Sequence, residues 1–408
     1  MAKVSKAPTV ALDTVGCKLN QAESQLFARQ LAKAGYRLVP SDNGADVYIL
    51  NSCTVTHVAD GKCRRLLNQA HRRNPDALVV AVGCYVERAR QELAELDSVD
   101  LVLDNRQKMN LVDRLEELGH LSPPSSSTPT KAAFRTRAFI RVQDGCNNFC
   151  SYCIVPLVRG RERSQPADDV ISEIKQRVAD GDKEVVLTGT EIGAYNYRNV
   201  GLAELLKLIL KETEIARLRL SSLQPQEITT ELIKLWDNER LCRHFHLSLQ
   251  SGSDAVLKKM KRRYNTADYG RAVELIRKAV PGAAITTDII VGFPGESDAE
   301  FQESYDFAKQ MQFARIHVFP YSPRPGTKAA AMPNQVGDKT KQERSRKMRA
   351  LGRACVRNFR KQFLGQTVMV LWEKETCSVW SGLTDNYIRV FTKSERNLTN
   401  KLVPVKLV

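Results

Sequence analysis

Three cysteines fall within eight residues at Cys146, Cys150 and Cys153, in a CxxxCxxC spacing. Thiolates are soft ligands suited to zinc and iron–sulfur clusters. A four-iron cluster held by only three of them keeps one iron open, able to bind and reduce a ligand. Zinc is the alternative, and it would require a fourth Cys or His nearby. Cys17, Cys53 and Cys84 form a second set that spacing alone does not connect. Any one of these three, taken singly, reads as a small buried hydrophobe. What joins them is their position, each just past the end of an expected strand. Cys63, Cys242, Cys355 and Cys377 share no such equivalence and read as structural or incidental.

Regular elements must hold these thiols in place. VALDTVGC (Val10–Cys17) reads as a buried strand, followed by a helix with the apolar pairs Ala22/Leu26 and Phe27/Leu31 and a stop at Gly35. The pattern repeats as ADVYILNSC (Ala45–Cys53), a helical Arg64–His71 stretch, LVVAVGC (Leu78–Cys84) and, after another helix, DLVLDN (Asp100–Asn105). Alternating β and α predicts a parallel sheet with helices on its faces. The loops at the C-terminal ends of such strands converge on a crevice where ligands bind, and Cys17, Cys53 and Cys84 all lie in those loops. Three thiolates there are able to hold a second cluster.

The stretch 121–137 is rich in Pro, Ser and Thr and reads as a linker. A second alternating series follows, with strands expected at Ala138–Gln143, Glu184–Gly189, Arg217–Ser222, Phe245–Gln250, Ile285–Phe293 and Arg315–Pro320. Six parallel strands with crossover helices predict a partial barrel. Within it Phe245, Leu247 and Leu249 should face the helices and His246, Ser248 and Gln250 the interior. His246 reads as a lumen-filling residue, and a polar interior implies a bound ligand. The basic helical stretch Lys339–Phe363 leads into segments rich in β-branched and aromatic residues, expected to form a small β-barrel. The organisation predicted is thus α/β: an N-terminal parallel-sheet domain over 8–120, a linker, a (β/α)6 partial barrel over 138–350 and a small β domain over 353–408.

Hydrophobic residues at 42% and charged residues at 26% give the balance of a globular chain and exclude general disorder. The N-terminus lacks the apolar core of a secretory signal, and no stretch is long and apolar enough for a membrane span. A cytoplasmic location is expected, where clustered cysteines bind metal more often than they form disulfides. Lys and Arg outnumber Asp and Glu by 62 to 46, a net charge of +16 that favours a polyanionic partner. The GxGxxG fingerprint of nicotinamide binding is absent.

The CxxxCxxC motif with Tyr152 before its third cysteine resembles the signature of the radical S-adenosylmethionine superfamily. Two cysteine triads, a barrel and a C-terminal β domain together resemble, over essentially the whole chain, the methylthiotransferase family of radical enzymes. TVGCKLNQAES (Thr14–Ser24), NSCTVTHVAD (Asn51–Asp60) and VQDGCNNFCSYCIVPLVRGRERS (Val142–Ser164) are most similar to the branch that adds a methylthio group to carbon 2 of N6-threonylcarbamoyladenosine at tRNA position 37. Other branches, acting on isopentenyladenosine or on a ribosomal-protein aspartate, usually carry EGC where Asp144-Gly145-Cys146 stands here.

The resemblance implies two 4Fe–4S clusters, one on Cys146, Cys150 and Cys153 and an auxiliary one on Cys17, Cys53 and Cys84. It implies S-adenosylmethionine both as methyl donor and as radical source, tRNA as partner, and a C-terminal TRAM-like RNA-binding domain. An electron donor of flavodoxin type or equivalent and a sulfur source are implied too. Tyr152, Gly189, Glu191, Gln250 and the VGFPGE loop (Val291–Glu296) are similar to walls of the cofactor site. Carbon 2 of adenine bears a hydrogen that no side-chain base removes, so no catalytic residue is expected beyond the cluster ligands. Arg159, Arg161 and Arg163, beside the motif, are the candidates for reading the threonylcarbamoyl carboxylate. Two rival readings are a radical enzyme of the same layout acting on a protein side chain and a non-catalytic zinc protein that binds RNA.

Overall fold

A computed structural model describes residues 7–119 and 136–408. The chain forms two compact units, Met1–Phe134 with Ile154–Gly160, and Arg135–Cys153 with Arg161–Val408. The expected linker lies almost wholly outside the described residues.

In the first unit, β1 (Thr9–Thr14), β2 (Arg37–Leu38), β3 (Val47–Ser52), β4 (Leu78–Gly83) and β5 (Leu101–Leu103) make one parallel sheet in the order β2-β1-β3-β4-β5. Successive side chains of a strand point to opposite faces. Accordingly Tyr48 and Leu50 join one core with Val79 and Ala81, while Val47 and Ile49 join another with Val80 and Val82. All six residues of β3 are buried, as a sheet covered on both faces requires. Helix α1 (Lys18–Lys33) buries Phe27 and Leu31, and Gly35, at φ +92°, follows its end. Helix α2 (His57–Arg73) starts earlier than expected because the Thr56 hydroxyl caps it, accepting from the Ala59 amide at 3.1 Å.

Six strands of the second unit build its barrel: Arg137–Arg141, Glu184–Thr188, Arg217–Leu220, His244–Leu247, Ala284–Val291 and Arg315–Pro320. The first three pair in parallel. After Ser221 the third continues as Ser222–Leu223 and pairs with the fourth, and parallel pairing runs on to the sixth. This is the open partial barrel. The fourth strand is shorter than expected. It stops at Leu247, and Gln250, at φ +69°, turns the chain while exchanging backbone bonds with Asp288 and Ile290 at 2.8 Å.

Two polar side chains inside the barrel illustrate how protein partners are found there. His246 contacts Thr286 at 2.9 Å and Asp288 at 3.3 Å. The buried Arg219 donates to Glu184 at 2.7 Å and to the Asp385 carbonyl at 2.9 Å. This part of the polar interior joins strands to one another and to the C-terminal sheet. One unbroken helix, Asp338–Lys361, runs through the boundary expected at 350–353. The β domain after it is a four-stranded antiparallel sheet of Thr367–Thr376, Val379–Thr384, Arg389–Lys393 and Leu402–Lys406, belonging to the second unit.

Candidate active site

In the first unit the strand register brings the scattered cysteines to one edge. Thr14 pairs with Asn51, and Ser52 with Gly83, so Cys17, Cys53 and Cys84 all leave the same end of three adjacent strands. Gly16 has φ +124°, and a Cβ there would stand 2.7 Å from the Cys53 Cβ and 3.1 Å from its sulfur. Only bare backbone fits beside that thiol. Burial pushes Cys53 up to about 12, and the Cys17 and Cys84 thiols add to the rise. Cys17 is the exposed member, yet the atoms packed behind its sulfur raise its thiol as well, with Arg159 opposing. Three thiols brought this close suit a cation that takes them as thiolates and releases their protons.

A buried charge network backs this set. Asn20 donates to the Val15 and Ser52 carbonyls at 3.0 and 2.9 Å, fastening two of the cysteine loops together. Its side-chain oxygen receives Arg159 at 2.6 Å and lies 3.5 Å from the Cys17 sulfur. Glu23, 1% exposed, pairs with Arg159 at 3.0 Å and Lys108 at 2.8 Å. Burial alone would raise the Glu23 carboxyl, but the two cations hold it well below the usual carboxylate range. Arg159, expected at the substrate, is instead buried here and committed to Glu23 and Asn20. Its closeness in sequence to the CxxxCxxC loop is misleading, because Ile154–Gly160 folds with the first unit.

In the second unit the CxxxCxxC loop follows the first barrel strand. Gln143 ties it down, donating to the Gly145 carbonyl at 2.8 Å and accepting the Glu191 amide at 2.9 Å. A Cβ on Gly189 would lie 2.8 Å from the Gln143 carbonyl, so glycine is needed for this close approach. The Glu191 carboxylate stands 3.0 Å from the Cys146 sulfur and accepts from Asn148 and Gln224. Burial, then Glu191, raises the Cys146 thiol. Arg262 donates to the Cys150 sulfur at 3.1 Å and to Gln224 at 2.9 Å. Tyr152 packs with Phe293, ring centroids 6.5 Å apart, in a buried cluster with Val256 and Met260. Arg161 is exposed, its guanidinium 5.2 Å from the centre of the Phe149 ring, and Arg163 is exposed too. In the VGFPGE loop the Glu296 carboxylate is taken by the Gly292 amide at 2.6 Å and Arg344 at 2.7 Å.

The donor chemistry on this loop, three soft sulfurs with a guanidinium at one of them, fits a three-thiolate cluster. Two matches with known families now bear on the chain. Residues 140–308 match the Radical SAM superfamily, and residues 9–104 match the Uncharacterized protein family UPF0004. A relative from Thermotoga maritima, named threonylcarbamoyladenosine tRNA methylthiotransferase MtaB, is 40% identical over 95% of this chain and 91% of its own length. A relative of the same name from Bacillus subtilis is 36% identical over 98% of this chain and 94% of its own. The chain belongs to the radical S-adenosylmethionine methylthiotransferase family. It is an enzyme of that class, and the family brings S-adenosylmethionine and a 4Fe–4S cluster with it.

The fold of this methylthiotransferase is also similar to that of a radical S-adenosylmethionine methyltransferase, TsrM, from Kitasatospora setae, solved with cobalamin and a 4Fe–4S cluster bound. The TM-score is 0.59 at 15% identity, over 80% of this chain and 77% of that one. Among the described residues no helix is long and apolar enough to cross a membrane. Asn20, Glu23, Lys108, Gln224 and Arg262 belong to no motif or spacing in the sequence. For Asn20 and Glu23 a signal existed, since both are polar residues on the α1 face that the helical period turns toward the sheet.

Proposed function

We propose that this enzyme adds a methylthio group to carbon 2 of N6-threonylcarbamoyladenosine at position 37 of tRNA, in the cytoplasm, using two 4Fe–4S clusters. The carrying observation is the convergence of Cys17, Cys53 and Cys84 on one sheet edge, in a chain that also holds a CxxxCxxC loop. One three-thiolate set suffices for radical generation, and a second supports delivery of sulfur. The relatives named for this substrate support the choice of nucleoside. An electron donor and a sulfur source belong to the proposal. When bound, the loop cluster and S-adenosylmethionine supply the radical that removes the unactivated carbon-2 hydrogen.

The chain's own residues then position and shield. Tyr152, Gly189, Glu191 and Gln250 are the proposed walls for S-adenosylmethionine. Glu191 offers a carboxylate for a cationic group, and Tyr152 an aromatic edge in a dry cluster. Arg161 and Arg163, both exposed, remain the residues proposed to read the substrate carboxylate with their guanidinium forks. Arg159 is withdrawn from that role because Glu23 holds it. The test is reduced enzyme with S-adenosylmethionine and tRNA bearing either the threonylcarbamoyl or the isopentenyl group. Methylthiolation is expected on the first alone, and product on isopentenyl tRNA alone would overturn the substrate assignment.

A further inference from the structure

The barrel lumen holds a chain of hydrogen bonds with one open end. On the fifth strand Ile285, Ile289 and Val291 pack outward in the helix-covered core, so Thr286, Asp288 and Ile290 face the lumen. On the sixth, Ile316 and Val318 pack outward, and His317 and Phe319 face in. Asp288 stands opposite His317 in the parallel register, and Ile290 opposite Phe319. His246 reaches the same place from the fourth strand, its ring centroid 5.7 Å from that of His317.

The direction of each bond follows from Asp288. Burial would raise its carboxyl, but hydrogen bonds from His246 and His317 hold it well below the usual carboxylate range. An ionised carboxylate only accepts. Nε2 of His246, at 3.3 Å, and Nδ1 of His317, at 3.2 Å, therefore both donate, each to its own oxygen. The neutral His246 ring then accepts at Nδ1 from the Thr286 hydroxyl at 2.9 Å, and that hydroxyl accepts from Nε2 of His244 at 3.2 Å. His244 in turn stacks on Tyr387 of the C-terminal sheet, ring centroids 4.5 Å apart. This end of the chain is closed. At the other end the neutral His317 ring presents Nε2, an acceptor with no partner among the described residues, on a side chain 40% exposed.

Beside that acceptor lies an apolar surface. Phe319, two residues on along the same face, is 41% exposed. The two positions are about 7 Å apart along the strand. Ile290, opposite Phe319, packs in the cluster of Tyr152 and Phe293, and the Gln250 amide donates to the Asp288 carbonyl at 2.8 Å. Both features thus border the walls proposed for S-adenosylmethionine. A bare ring suits the face of a nucleobase. A lone acceptor suits a donor carried on that base. We propose that this lumen face is the pocket for the reacting nucleoside: Phe319 takes the adenine, and Nε2 of His317 accepts from the threonyl hydroxyl of its N6 arm. The ureido N–H of that arm turns back toward adenine N1, so the hydroxyl at the tip is the donor free to reach the imidazole. The isopentenyl arm, all carbon, offers none. This rests on the reading above that the substrate is threonylcarbamoyladenosine, and it gives the hydroxyl a reader separate from the arginines proposed for the carboxylate.

The experiment measures methylthiolation by reduced full-length enzyme on tRNA bearing threonylcarbamoyladenosine or its glycyl counterpart, which keeps the ureido and carboxylate groups and lacks the hydroxyl. Wild type should prefer the threonyl form by about tenfold in kcat/KM, the effect of one well-placed hydrogen bond. His317→Phe should lose that factor on the threonyl form alone, bringing the ratio to about one. His317→Gln, which keeps an acceptor, should retain part of it. Asp288→Asn, which turns an N–H toward His317 and reverses its tautomer, should also abolish the preference, a ratio that a merely structural role would not move. Phe319→Ala should raise KM on both RNAs by about tenfold and leave the ratio intact. Iron content checks the fold of each variant, and if His317→Phe loses iron the Gln and Asn variants carry the test. An unchanged ratio in these variants, equal losses on both RNAs, or a stoichiometric zinc ion lost on substituting His317 would overturn the proposal. Product from wild type on isopentenyl tRNA alone would overturn the substrate reading and this pocket with it. A flat wild-type ratio with product on threonylcarbamoyl tRNA would strike the pocket alone.

Discussion

The two cysteine sets reach a similar donor chemistry by opposite routes. Cys146, Cys150 and Cys153 are neighbours in sequence, so one loop presents them and its anchors are few: Gln143 beneath, Glu191 and Arg262 at the sulfurs. Cys17, Cys53 and Cys84 come from three strand ends, and their meeting depends on a sheet register, two left-handed glycines and a buried network of Asn20, Glu23, Arg159 and Lys108. A set built locally tolerates error elsewhere in the fold. A set assembled from distant segments makes the stability of its whole unit a condition for binding.

The two sets separate most visibly through their ligands. Two four-iron clusters would give about eight iron atoms per chain. Changing Cys146, Cys150 and Cys153 together to Ala is expected to remove about half of them and all cleavage of S-adenosylmethionine. Changing Cys17, Cys53 and Cys84 together should remove the other half and all methylthiolated product, while deoxyadenosine still forms. Iron and sulfide assays with nucleoside chromatography read both. Full iron retention in either variant, or zinc in place of iron, would sink the two-cluster assignment.

Next in size is Glu23→Gln, which leaves Arg159 and Lys108 buried without their shared anion. Breaking such a network from one side should destabilise the chain by about 3–5 kcal/mol in denaturant unfolding. The sign of its pH dependence follows from the lowered carboxyl. The stability Glu23 contributes is complete above the ordinary range near ~4.3 and is lost as pH falls below it, a loss the Gln variant should not show.

The loop set should respond more mildly to its own cation. Arg262→Lys keeps the charge but not the fork that serves the Cys150 sulfur and Gln224 together. Faster bleaching of about half the cluster absorbance under chelator is expected, with global stability little changed. Equal bleaching of both halves would mean that Arg262 does not act on the loop set alone.

The smallest effect concerns Glu227. Burial, then the neighbouring Glu191, raises its carboxyl to about 8. An unfolded carboxyl ionises near ~4.3, so the folded state loses stability as pH rises from there to about 8. Glu227→Gln should flatten that slope by a modest amount, since the residue is only half-buried. Melting temperatures across the interval read it.

Much of this was legible in the sequence. Alternating apolar runs announced both parallel sheets, and cysteine spacing announced the loop set. The sheet-edge set was readable because strand ends in a parallel sheet converge. The partners were not. Arg262 lies 112 residues from Cys150, and Glu23 lies 136 from Arg159, separations over which no local period reports. The alternation of its neighbours predicts a strand through Gln250, but its left-handed backbone ends that alternation. Composition alone does not distinguish Arg344, which is buried, from Arg349, which is exposed.

The membership of Ile154–Gly160 in the first unit has a consequence for how the protein is made. Domains commonly fold in the order the ribosome releases them. Here the N-terminal unit is still missing Arg159 when its sheet is complete, and Glu23 has only Lys108 until the chain has passed the radical motif and residue 160 has emerged. A gene fragment ending near residue 120 therefore encodes an unfinished domain, and its repair requires supplying 154–160 as well.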